Sequence, residues 1–476
     1  MLTGCERGSP RTRCLNILRG LPPEGILRTD GDKDCPFRIA PEPFPLSAAL
    51  AAALARQGRL WLGFLRASQS LYFRSLRGEA PGFISEYLDS GKPKRVLDFG
   101  RMNRFRTMFP ALIRPDLILT DEGPAACELD SVPGGFGLLA CLARLYAGEG
   151  FDPVGGPDGV TEGFRRAMSH ITGNKRPAVA IVVSEESKMY FPEMSWLAGA
   201  LREAGFHFQA AGPEDLSIRE EGVFLDDGAG PRRLDAVYRF FELFDLPNVP
   251  QAGELLNAAK LRKVAMTPPP KAHFEEKILF ALLHHPALAA LWEKELGERD
   301  FGELKSLVIP TWVLDARPVP PHAVIAGPGP GGRGMRSWEE LAGLSQKERE
   351  FVIKPSGFSE SAWGSHGVMF GHDLSRKDWT EAIVGALERF PTSPSVLQVW
   401  RRPSLVPSSY LDRAAGEIRD FTGRVRLCPY YFVTGPDEAG LAGVLATVCP
   451  ADKKAIHGMS EAVMVPCSVA GGKETS

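Results

Sequence analysis

Three carboxylates crowd one short stretch of this chain, RPDLILTDEGPAACELDSVPGGFG from Arg114 to Gly137: Asp116, Glu128 and Asp130. The segment reads as two strands joined by a turn at Asp121 to Pro124, where Asp, Glu, Gly and Pro break the apolar run. Side chains alternate faces along a strand, so Glu128 and Asp130 share one side, and Asp116 reaches them if its strand pairs antiparallel. Acidic oxygens gathered in this way suit a divalent cation. Mg2+ favours oxygen donors, takes few carboxylates and leaves its other positions to water and nucleotide phosphates. The competing expectation is a set of ordinary solvated turn acids. Cations able to hold phosphates must be sought elsewhere in the chain.

Lys354 closes the apolar run FVIKPSG and precedes Gly357, Gly364 and Gly367, whose backbone N–H groups together with a fixed cation can contact phosphates. A solvated lysine at a strand end is the plain alternative. Gln398 lies inside the otherwise apolar VLQVW, where its amide must find a hydrogen-bond partner in the core or on a ligand. One helical stretch separates Lys354 from Gln398, which predicts neighbouring strands of one sheet. Lys277 falls in HFEEKILFALL, read as an amphipathic helix on which a lysine has an ordinary surface role.

Other chemistries find no support. No GxxxxGK[ST] or HExxH occurs, the strand–helix–strand unit from residue 176 lacks a GxGxxG turn, and no GxSxG with matching His and Asp is found, which speaks against a P-loop, a zinc hydrolase, dinucleotide binding by that unit and a serine hydrolase. The eight cysteines form no CxxC pair and read as reduced, buried small residues, which fits the cytoplasm. A net charge of -2, with Lys and Arg dispersed among acids, gives no basic stripe for nucleic acid. No apolar run reaches the roughly 20 residues that span a bilayer, and the N-terminus lacks the apolar core of a signal peptide. The expectation is a soluble cytoplasmic protein with neither nucleic-acid nor membrane partners.

At 476 residues the chain calls for several subdomains. Residues 1–95 read as an irregular lead-in to about residue 45, then a helical region with apolar residues at helical spacing. Residues 96–175 carry the acidic motif, with PKRVLDFGRMNRFR as a short strand or turn before it and an apolar helix after it. From 176 to 248, strand, helix and strand alternate, which predicts a small parallel sheet with covering helices. Residues 249–476 carry the lysines, and the loop between the Lys354 strand and the next strand reads as a mobile phosphate lid.

In this order the motifs resemble the circularly permuted ATP-grasp ligases, in particular the synthetase domain of glutathionylspermidine synthase. Arg114-Pro115-Asp116 and Glu128-Leu129-Asp130 stand where that family has an Arg-x-Asp and a Glu-x-Asn strand, ahead of the lysines. PPPKAHFEEKILF, FVIKPSGFSESAWGSHGV and SVLQVW look like its later segments. The resemblance covers residues 96–467 and implies an α+β fold: a permuted ATP-grasp with an inserted Rossmann-like pre-ATP-grasp unit and a helical N-terminal region. It implies ATP and Mg2+, with Lys277, Lys354, Gly357, Gly364, Gly367 and Gln398 on the nucleotide and Asp116, Glu128 and Asp130 on the metal. Asp130 departs from the family's amide and adds negative charge.

The expected reaction is ADP-producing ligation of a small carboxylate to an amine. ATP would convert the carboxylate to an acyl phosphate, and Arg114 would hold the carboxylate or its phosphate through its planar fork. A small-molecule phosphotransferase and a nucleotide-binding protein without catalysis stay open as alternatives. The acid, the amine and the oligomeric state are not specified by the sequence.

Overall fold

The computed structural model describes residues 8–23, 25–27, 36–130, 132–318, 323–362, 367–453, 456 and 461–470. Its main sheet has seven strands. In spatial order they are Phe44–Leu46, Val463–Val469, Glu438–Pro450, Glu417–Gly435, Leu112–Thr120 and Gly123–Asp130, with Leu405–Asp412 also paired to Glu417–Gly435. All these pairings are antiparallel except that of Phe44–Leu46 with Val463–Val469. The acidic hairpin therefore forms one edge of a sheet whose other strands come almost entirely from the C-terminal end of the chain. Alternation such as Val425, Leu427 in and Arg424, Arg426 more exposed is the period of a strand with one face in the core.

Two four-stranded sheets accompany it, besides a small three-stranded sheet of Ser217–Ile218, Val223–Asp226 and Pro231–Arg233. Ala265–Thr267, Ala236–Phe240, Ala178–Val183 and His207–Ala211 pair in parallel, and every residue of Ala178–Val183 is buried, as a parallel strand covered on both faces requires. Thr311–Val313, Ser395–Val399, Phe351–Pro355 and Met369–Phe370 form an antiparallel sheet in that order. Lys354 and Gln398 thus lie on neighbouring strands, with Val352 opposite Gln398 and Lys354 opposite Val396.

A 29-residue helix, Ala48–Leu76, starts at Ser47, whose side chain accepts the Leu50 N–H. It packs against the strand Glu438–Pro450. Trp61 and Phe64 on it are fully buried and stack on Phe280 and Trp292 respectively, each such burial contributing about 1.5–3 kcal/mol.

Three local expectations are corrected. Lys94–Arg101 is a helix, not a strand or turn, with Val96, Phe99 and Gly100 as its buried side. The lead-in holds a helix, Pro10–Gly20, started by Ser9 accepting from Thr12 N–H and by Pro10 at its first position. Lys277 is not in the body of an amphipathic helix: the helix is Ile278–His284, Lys277 precedes it, and Ile278 to Leu283 are all buried. A helix apolar all round belongs to the core, which carries Lys277 inward with it.

Candidate functional site

The hairpin pairs antiparallel, setting Asp116 opposite Glu128 and Arg114 opposite Asp130. Its register shifts after Asp116, because Leu117 pairs with Ala126 and Cys127 is left over as a bulge. The Cys127 carbonyl accepts from Lys354 Nζ at 3.2 Å and from Gln398 Nε2 at 3.3 Å. Gln398 also donates to Thr311 Oγ1 at 3.1 Å, so both donors of its amide are used. In this way the third sheet docks against the edge of the first, and residues more than two hundred positions apart meet.

The carboxylates differ in their surroundings. Asp116 is 1% exposed, with Oδ1 2.8 Å from Arg114 Nε and Oδ2 3.0 Å from Arg426 Nη1, and it accepts from the Cys428 thiol at 3.4 Å. Asp130 receives Arg114 Nη2 on one oxygen and the Val132 N–H on the other, both at 3.0 Å. Burial raises the Asp130 carboxyl above its ordinary range, with Arg114 opposing and Asp116 reinforcing the shift. Glu128 Oε1 lies 3.4 Å from Lys277 Nζ and 3.8 Å from Lys354 Nζ. Burial would raise Glu128, but the charges of Lys354, Lys277 and Arg426 outweigh it and hold the carboxyl down at about 2.

Among the described residues no three His, Cys, Asp or Glu side chains converge as a metal-holding group. The hairpin does not gather its three acids into one ligand set. Asp116 is spent on two guanidiniums, whereas Glu128 and Asp130 keep about 30% of their side-chain surface. Asp116 is the counter-ion that fixes Arg114 and Arg426. Sequence reading missed Arg426, although Arg424, Arg426, Cys428 and Tyr430 follow the same alternation that exposed Glu128 and Asp130.

A cavity of about 200 Å³ is lined by Arg114, Glu128, Asp130, Glu242, Lys277 and Arg426, among others. Further acidic groups line it, Glu242 and Glu275 among them. Burial pushes the Glu242 carboxyl well up, helped by nearby Glu275 and Asp130, while Glu275 itself is paired with Arg239. An adjoining space between Glu128, Lys277, Lys354 and Gln398 measures only about 10 Å³. Of the nucleotide residues named by the resemblance, Lys277, Lys354 and Gln398 therefore stand together, drawn onto Glu128 and Cys127.

The glycine loop contributes differently at each position. A Cβ on Gly357 would lie 1.3 Å from the Glu275 carbonyl oxygen, so only glycine fits. Its N–H donates to Glu276 Oε2 at 3.3 Å, not toward the cavity. Glu276 also accepts from Ser356 and pairs with Lys92, both partners being buried, which ties the root of the loop to the N-terminal region. Lys277 Nζ donates to the Ala362 carbonyl at 2.7 Å, bridging the loop and Glu128. Gly367 packs closely on Pro355 and Ser361. Gly364 lies outside the described residues.

No family model matches the chain, and neither does any curated protein. Among solved structures it resembles a glutathione synthetase-like effector from Globodera pallida in its apo form, with 12% identity, a TM-score of 0.59, and 97% of this chain and 98% of that one covered. A gamma-glutamylcysteine synthetase-like protein from Methylobacillus flagellatus gives 13% identity, a TM-score of 0.43, and coverage of 83% and 89%. D-alanyl-alanine synthetase A from Vibrio cholerae gives 11%, 0.27, 60% and 88%. The first likeness extends over both whole chains and shows the fold: a mixed helix and sheet architecture shared with a glutathione synthetase-like protein.

Proposed function

We propose that the chain is an ATP-dependent carboxylate–amine ligase built on a circularly permuted ATP-grasp fold, with the parallel sheet as its pre-ATP-grasp unit. The observation that carries this reading is the meeting of the Arg114–Asp130 hairpin with Lys277, Lys354 and Gln398: Lys277 lines the cavity beside the hairpin, and Lys354 and Gln398 line the narrow space adjoining it. Phosphoryl transfer asks a protein mainly for position and charge. Lys277 and Lys354, which share the single charge of Glu128, are the cations for the ATP phosphates. Gln398, with both N–H donors engaged, offers its carbonyl oxygen to the base, and entry of the base must part the narrow space beside it.

Glu128 and Asp130, the hairpin carboxylates that keep exposed surface, would hold Mg2+, with Asp116 behind them, buried between Arg114 and Arg426. Held there, the ion would supply positive charge against that of the ATP phosphates. Arg114 and Arg426, held side by side by Asp116, present planar forks for the substrate carboxylate and for the phosphate placed on it. A bound carboxylate oxygen would attack the γ-phosphorus and ADP would leave. The amine would then attack the acyl carbon and expel phosphate. The loop from Gly357, tied down by Lys277 through Ala362, would keep water from the acyl phosphate.

Incubation with Mg·ATP, hydroxylamine and a panel of carboxylic acids tests this. A ligase releases ADP only when acid and amine are both present and forms the hydroxamate in equal amount. ADP release with one substrate alone, accompanied by a stable phosphorylated product, would make the protein a phosphotransferase instead.

A further inference from the structure

Glu193 stands outside the sequence motifs and is 0% exposed. It lies on Phe191–Glu203, a helix covering the parallel sheet, and reaches across to the helix Phe136–Gly148 that follows the acidic hairpin. Its Oε1 accepts the Gly135 N–H and its Oε2 the Leu138 N–H, each at 2.8 Å. These are orphan donors of a helix start whose own first turn holds no acid. The fit is close: a Cβ on Gly137 would lie 2.4 Å from the Glu193 carbonyl oxygen.

The preceding carbonyl, that of Gly134, accepts from Arg114 Nη1 at 2.9 Å and from the Tyr430 hydroxyl at 2.8 Å. A continuous chain of hydrogen bonds therefore runs from Glu193 through Gly135 and Gly134 to the guanidinium that faces the cavity. Burying a carboxyl this deeply costs stability, and its two acceptors are used on no other element. We infer that Glu193 is a positioning residue for the acid-binding end of the site: by clamping the Gly134–Leu138 turn it sets the direction of the Arg114 fork. This rests on the ligase reading for what Arg114 holds. It also gives the parallel-sheet unit a task in the reaction.

The test uses the full chain with Glu193→Ala and Glu193→Gln, the latter keeping one acceptor. Two measurements are made. Amide hydrogen exchange is followed on the peptide spanning Val132–Leu138, and KM is determined separately for ATP and for the carboxylic acid, with hydroxylamine as the amine and α-amino acids, dicarboxylic acids and γ-glutamyl dipeptides as the acid panel. Glu193→Ala is expected to speed exchange in that peptide and to raise the acid KM, each by about tenfold or more. The ATP KM should stay within about twofold, and Glu193→Gln should fall between wild type and alanine. Unchanged exchange and acid KM in a folded variant would overturn the inference, as would equal rises in both KM values. If Glu193→Ala does not fold, Glu193→Gln decides by the same criteria. A wild-type protein that forms no hydroxamate with any acid contradicts the ligase reading, while the exchange data still decide whether Glu193 holds the turn.

Discussion

Asp116 and Arg426 are ion-paired at 3.0 Å between adjacent strands, and Asp116 holds Arg114 with its other oxygen. Removing one partner of a buried pair leaves charge uncompensated. Asp116→Asn is therefore expected to lower stability by about 3 kcal/mol in urea unfolding. Combined with Arg426→Met, the double variant should lose less than the two single losses together, because both act on one interaction.

Glu193 makes the stability of the fold depend on pH. Burial raises its carboxyl from the ordinary 4.5 to about 7, opposed by the Gly135 and Leu138 amides and Arg114. Its folded value lies above the unfolded one, so the contribution is complete below about 4.5 and is lost as pH rises through 7. Glu193→Gln does not titrate. The difference in Tm, variant minus wild type, should be more positive at pH 8 than at pH 4.5, with about 3 kcal/mol as the upper bound of the change.

Gly357→Ala places a methyl group against the Glu275 carbonyl and should destabilise the protein by about 1–3 kcal/mol while displacing the loop. Gly343→Ala, where a Cβ meets nothing within 4 Å, is the control and should change stability by less than about 0.5 kcal/mol. Chemical denaturation of both variants compares them directly.

Lys354→Met removes the cation beside Glu128 and the donor to Cys127. Its effect should appear in nucleotide affinity: calorimetric titration with a non-hydrolysable ATP analogue and Mg2+ is expected to show binding weakened by about 10- to 100-fold.

Much of this site was readable locally. Alternation placed Glu128 and Asp130 on one face, the antiparallel return set Asp116 opposite Glu128, and the spacing of Lys354 and Gln398 placed them on adjacent strands. What sequence could not show was long-range or irregular. The bulge at Cys127 needs two strands to define it, and it is the carbonyl of that residue on which Lys354 and Gln398 meet. Arg426 reaches Asp116 only because a strand from near the chain's end pairs with Leu112–Thr120, a register no local period encodes. The two guanidinium partners of Asp116 are therefore out of reach of a local reading. The Pro10–Gly20 helix did carry a local signal, Ser9 followed by Pro10, hidden by the Arg- and Pro-rich composition around it.

The central claim is that ATP is spent on joining a carboxylate to an amine. Its most direct measurement is ADP released against hydroxamate formed, with Mg·ATP, hydroxylamine and the acid panel. The expected result is equal amounts of the two products, with neither formed when acid or amine is left out. ADP release that needs no amine and leaves a stable phosphorylated acid, or no release with any acid, would contradict it.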